Sequence, residues 1–66
     1  MAIASIWTLE TTYRLQIKDR DGVWNDYSQA EYETATEVHW TAQQIYGGLA
    51  PDQYRLVEIS RKIIEN

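Results

Sequence analysis

From Trp7 to Lys18 the chain alternates in character. Trp7, Leu9, Thr11, Tyr13, Leu15 and Ile17 hold the odd positions and are mostly apolar, while Thr8, Glu10, Thr12, Arg14, Gln16 and Lys18 hold the even ones. Successive side chains of an extended strand point to opposite faces, so a period of two describes a strand with one face on a core and the other in water. Such a stretch is long for one strand. It therefore predicts an irregularity between Glu10 and Thr12, with residues 12–18 as its firm part.

The next residues, "KDRDGVW", contain an aspartate and glycine pattern that invites comparison with a calcium loop. A loop of that kind starting at Asp19 needs an oxygen ligand at its fifth position, glycine at its sixth and a bidentate glutamate at its twelfth. Here those positions hold Val23, Trp24 and Ala30. No metal is expected. A hairpin turn fits better: Arg20 and Asp21 take right-handed helical angles and Gly22 supplies the left-handed one. That turn pairs Asp19 with Val23, Ile17 with Asn25 and Leu15 with Tyr27, directing Val23 and Tyr27 to the core and Trp24 to the opposite face beside Lys18 and Gln16. A two-residue turn at Asp21 and Gly22 would instead shift the pairing by one and reverse Trp24.

Thr34 and Glu37 form a T-x-x-E capping box, in which each side chain satisfies a first-turn backbone amide. Ala35, Val38, Ala42, Ile45 and Tyr46 follow at helical spacing, and Gly47 with Gly48 supplies a left-handed stop, so the expected helix runs 35–46. Trp40 lies nearly opposite Val38 on the helical wheel, among Thr36, Glu37, Gln43 and Gln44. After the loop "LAPDQ", "YRLVEIS" (54–60) predicts a last strand. Either Tyr54 and Leu56 or Val57 and Ile59 face inward; a strand covered on one side cannot bury both sets, which implies a bulge or a partly covered second face. The tail with Ile63 and Ile64 either folds back as a helical turn or pairs with another chain.

Strand, strand, helix, strand defines an α+β domain spanning 1–66. The expected architecture is a three-stranded antiparallel β-β-α-β sheet in spatial order 2-1-3, with the helix on one face and two unprotected edges. Folding at this size buries only about 60% of the surface the unfolded chain exposes. With no cysteine in 66 residues there is no disulfide, and the fold rests on packing or self-association. The start "MAIASIWTLE" lacks a basic region and has its apolar run broken by Ser5 and Thr8, so neither a signal peptide nor a membrane anchor is expected. A reducing, cytoplasmic setting fits the absence of cysteine and is expected.

Chemistry-bearing residues are few. His39 is the lone histidine and reads as a surface residue on the helix flank; Ser5, Ser28 and Ser60 sit in no nucleophile motif; Glu31 and Glu33 read as solvated loop acids. The expectation is a non-enzyme without cofactor or metal. Charge is more informative. Of the net −4, residues 19–37 carry a local −5 from Asp19, Asp21, Asp26, Glu31, Glu33 and Glu37 against Arg20. Phosphate backbones select clustered Lys and Arg, so this balance argues against nucleic acid and for a basic protein surface. Trp is a favoured interface anchor within a polar ring. Asp19, Asp21, Asp26, Glu31, Glu33, Glu37 and Trp40 are therefore the expected partner-binding set. Two rival readings remain: a nucleic-acid platform of Arg14, Gln16, Lys18 and Trp24 on the open sheet face, and self-association into a homodimer or larger assembly through Ile63, Ile64 and a free edge.

"TYRLQIKDRDGVW", "YETATEVHWTAQQI" and "YRLVEI" together resemble a layout recurrent among small bacteriophage and prophage proteins. These have a Tyr-Arg-aliphatic strand, a D-G-x-W hairpin, a Y-x-T helix start and a closing Tyr-Arg-aliphatic-aliphatic-Glu strand. The resemblance implies a viral protein that binds and inhibits a host protein, in the manner of an anti-CRISPR or other defence inhibitor that occludes a basic nucleic-acid channel. It transfers no functional residue.

Overall fold

The computed structural model describes residues 6–65; the chain start with Ser5 lies outside them. In order come β1 (Ile6–Lys18), β2 (Trp24–Asp26), α1 (Ala35–Gln44), one 3-10 turn (Ile45–Gly47) and β3 (Tyr54–Glu65). The sheet is antiparallel in order β2-β1-β3. The α+β, β-β-α-β architecture follows from the sequence patterns as expected.

The hairpin adopts the three-residue turn. Ile17 stands opposite Asn25, Asp19 N–H donates to the Val23 carbonyl and Tyr27 N–H to that of Leu15, with Gly22 at φ 80°. Between β1 and β3 the pairing runs unbroken from Ile6 opposite Glu65 to Ile17 opposite Tyr54. The irregularity expected near Glu10–Thr12 is absent, because β3 continues past Ser60 and gives every residue of β1 from Ile6 to Ile17 a partner. The tail is thus not a helical turn; it is the end of β3 and closes onto the start of β1.

Leu15, Val38, Ala42 and Ile45 form the buried core, ringed by Tyr13, Ile17, Tyr32, Leu49, Tyr54 and Leu56. Inward residues of β3 are therefore Tyr54 and Leu56. Val57 and Ile59 on the second face are partly covered, so no bulge is needed. Thr34 Oγ1 accepts the Glu37 N–H at 3.2 Å and starts α1. The α-helix ends at Gln44, earlier than expected, and Tyr46 leaves the core stripe: its backbone turns left-handed (φ 51°) and its side chain is 93% exposed.

Length explains the other departures. A helix of 10 residues spans about 15 Å, whereas a strand of 13 reaches about 44 Å. The helix packs on β1 and β3 and does not reach β2. Val23 and Tyr27, expected in the core, are consequently exposed, and so are Trp7 and Leu9 at the far end of β1. Beyond the core the β1–β3 ladder continues as a bare two-stranded arm, which makes the molecule 58 Å long and only 23 by 16 Å across.

Backbone groups of the arm follow from parity. Lys18 N–H donates toward β3, to Gln53 O, while Tyr13 exchanges two hydrogen bonds with Tyr32 on the β2 side. Even residues of β1 therefore face β3, and by register odd residues of β3 answer them. Even residues from Tyr54 to Ile64 turn their N–H and C=O groups to an edge that no strand of the described residues borders.

Candidate functional site

One face of α1 forms the wall of an open groove of about 400 Å³, lined by Tyr32, Thr36, Glu37, Trp40 and Thr41. Thr36, Glu37, Trp40 and Thr41 recur at one-turn spacing and so share a side of the helix. Tyr32 is fixed from beneath: both of its backbone groups bond Tyr13, at 2.8 Å each. Thr41 Oγ1 donates to the Glu37 carbonyl at 2.8 Å, which ties down a hydroxyl that would otherwise compete in the groove. Trp40 is 65% exposed, as its position on the helical wheel requires. Among the described residues no hydrogen bond or ion pair engages the Glu37 carboxylate.

The six acids of the expected binding set do not form one surface. Asp19 is spent on the turn, where its carboxylate accepts from the Val23 and Asp21 N–H groups at 2.9 Å and from Asn25 Nδ2 at 3.1 Å. The Val23 amide above all holds its pKa down. Asp21 is exposed at the hairpin tip. Asp26 accepts from Gln16 Nε2 (2.9 Å) and pairs with Arg14 (3.2 Å), and these contacts, Gln16 first, lower its pKa. Glu31 takes Arg61 at two points, Thr12 Oγ1 at 2.6 Å and Arg14 at 3.2 Å. Among the described residues, Glu33, exposed beside the helix start, and Glu37 lie close in sequence to Trp40 without such a partner. Sequence reasoning could not separate the two groups, because Asp26 and Glu31 meet their arginines only through strand register and a long loop.

The same contacts define the open sheet face. Arg14, Gln16, Lys18 and Trp24 do share it, as the alternation requires, but each has a partner there. Lys18 Nζ stands 5.4 Å and the Arg55 guanidinium carbon 4.5 Å from the Trp24 ring centre, and Arg55 Nε donates to Gln16 Oε1 at 2.8 Å. A stacking platform there would have to displace these cations. Of Arg14's nitrogens only Nε, which is buried, has no partner.

His39 sits on the flank of α1 with Nδ1 2.8 Å from the Tyr54 hydroxyl and its ring edge-on to that tyrosine. Among the described residues no group of His, Asp and Glu is placed to hold a metal ion, and no helix is long and apolar enough to cross a membrane. The arm adds a feature that sequence reasoning found only in part. Trp7, Leu9 and Ile64 on the helix-side face join Ile6 and Ile63 on the other as exposed apolar residues. Its signal was the apolar alternation itself, which runs longer than any ten-residue helix can cover.

Compared with known proteins, the chain matches no family model, no curated sequence and no solved structure.

Proposed function

We propose that this chain is a docking domain that binds a basic segment of another protein through the Trp40 groove. The observation that carries the reading is an exposed indole walling a groove beside a carboxylate, Glu37, that no cation of the described residues neutralises. The indole offers apolar area to an inserted side chain, and Glu37 with Glu33 orients a flanking Lys or Arg. Asp26 and Glu31 contribute to the long-range field but are already paired. The phage-type resemblance extends this reading to inhibition of a host nucleic-acid-binding complex whose basic channel is occluded, in a cytoplasmic setting that suits a chain without cysteine. The nucleic-acid reading is less well supported, since Lys18 and Arg55 are already stacked on Trp24.

The test is an NMR titration with peptides that place one aromatic or aliphatic residue between lysines, at low and high salt. Shifts centred on the Trp40 indole N–H and the Thr36, Glu37 and Thr41 amides, weakening with salt, are expected. No shift at millimolar peptide, or equal shifts with a glutamate-flanked control, overturns the reading.

A further inference from the structure

We propose that the protein forms a homodimer in which the outer edges of two β3 strands pair antiparallel about a two-fold axis passing through Ser60. This surface is independent of the Trp40 groove. The observation behind it is that β3 is complementary to itself about one point. The free edge presents the backbone groups of even residues, so an isologous antiparallel pair must join even residues to even residues. With Ser60 at the axis, Glu58 faces Lys62 of the second copy, Leu56 faces Ile64, Val57 faces Ile63 and Arg55 faces Glu65. Each of these pairs occurs twice. Only Ile59 opposite Arg61 is unlike, and the aliphatic stem of arginine packs on isoleucine.

The neighbouring registers lack this match. Moving the axis to Glu58 or to Lys62 sets like charges against each other at the centre, and moving it to Arg61 does the same. An axis at Ile59 sets Lys62 on Leu56 and Arg61 on Val57. Cross-strand pairs of opposite charge and of apolar residues favour a register, and like charges disfavour it, so the Ser60 axis is selected.

The pairing also accounts for surface that the monomer leaves bare. Within one chain Glu58 and Lys62 lie opposite Tyr13 and Leu9 and do not meet each other, and Lys62 Nζ instead stands 4.6 Å from the Trp7 ring centre. Ile64, 59% exposed, moves against the second copy's Leu56 at the margin of its core, and Trp7, its neighbour across the ladder, comes in behind it. Ile63 comes to lie beside the second copy's half-covered Val57. A long edge strand with free amides is a template for another strand, and here the most complementary strand is its own copy. The product is a continuous six-stranded sheet, β2-β1-β3-β3-β1-β2, with both helices and both Trp40 grooves on one side.

Charge exchange tests the register. Glu58 and Lys62 are exposed and outside the core, so Glu58→Lys and Lys62→Glu leave the monomer folded, as circular dichroism verifies. Each variant alone places like charges at two points of the interface and self-associates about ten-fold or more weakly than the unaltered chain in sedimentation equilibrium. Mixed in equal amounts, the two variants form a heterodimer with both charge pairs restored. Amide exchange gives a second reading: in the dimer the Glu58, Ser60 and Lys62 amides become protected, whereas in a monomer these outward groups exchange with water. A protein that stays monomeric at millimolar concentration, a mixture that associates no better than its components, or unprotected even-numbered amides in an associated form overturns the proposal.

Discussion

Glu31 and Arg61 form a two-point ion pair, with Nη1 at 2.5 Å from Oε1 and Nη2 at 2.8 Å from Oε2, although they lie 30 residues apart in the chain. Thr12 and Arg14 complete the grip, so one loop carboxylate fastens the 27–33 segment to both long strands. The Arg61 hydrogen bonds, then Thr12, then the two guanidinium charges, hold the Glu31 pKa at about 2 against an ordinary 4.5. A carboxylate with a depressed folded-state pKa stabilises the fold above its unfolded pKa and loses that contribution as protons bind. Stability is expected to be level above 4.5 and to fall as pH drops from there toward 2. Glu31→Gln should be less stable at neutral pH and converge on the parent at the acid end, as urea titrations at several pH values would reveal. Parallel curves for the two proteins would contradict the role.

Trp40 is 65% exposed and is not one of the buried core residues, so its removal should be felt by a partner and not by the fold. Trp40→Ala is expected to leave the unfolding midpoint in urea within the range of surface substitutions, about 0.5 kcal/mol, and to abolish peptide binding at the groove. A loss of several kcal/mol would mean that the indole is structural.

Tyr46 offers a prediction of the opposite sign. An L-residue in the left-handed region carries a steric cost of about 1–2 kcal/mol, which asparagine tolerates better, and the exposed ring gives little packing to lose. Tyr46→Asn should raise stability by up to about 1 kcal/mol, visible as a higher thermal midpoint. A lower midpoint would assign the ring a contact.

Thr34→Ala removes the acceptor of the Glu37 amide and should cost about 1 kcal/mol, with Thr34→Ser close to neutral. Because α1 supplies Val38 and Ala42 to the core and leads directly into Ile45, fraying at its start is transmitted to the whole domain and reads out as a lower midpoint for global unfolding.

Local chemistry was legible in the sequence. The period of two in β1, the glycine turn, the Thr34 cap and the exposure of Trp40 each depend on residues within a few positions of one another, and each stands where its pattern put it. What the pattern could not convey is extent. Alternation marks which side chains share a face but not how far a helix will cover that face, so Val23 and Tyr27 read as core and stand in solvent, as do Trp7 and Leu9 at the far end of the same pattern. The acids misled for a related reason: closeness in sequence between Asp26, Glu31 and Glu37 says nothing about register, and register sends the first two to arginines on the open face.

The brevity of β2 has its own consequence. In the proposed dimer, the outermost border of the sheet is a three-residue strand, then the single Tyr13–Tyr32 bridge, then the short overhang from Trp7 to Thr11. No long uninterrupted ladder remains there to recruit a third molecule. Association through the proposed β3 pairing is accordingly expected to be self-terminating, yielding a discrete particle rather than a growing fibril.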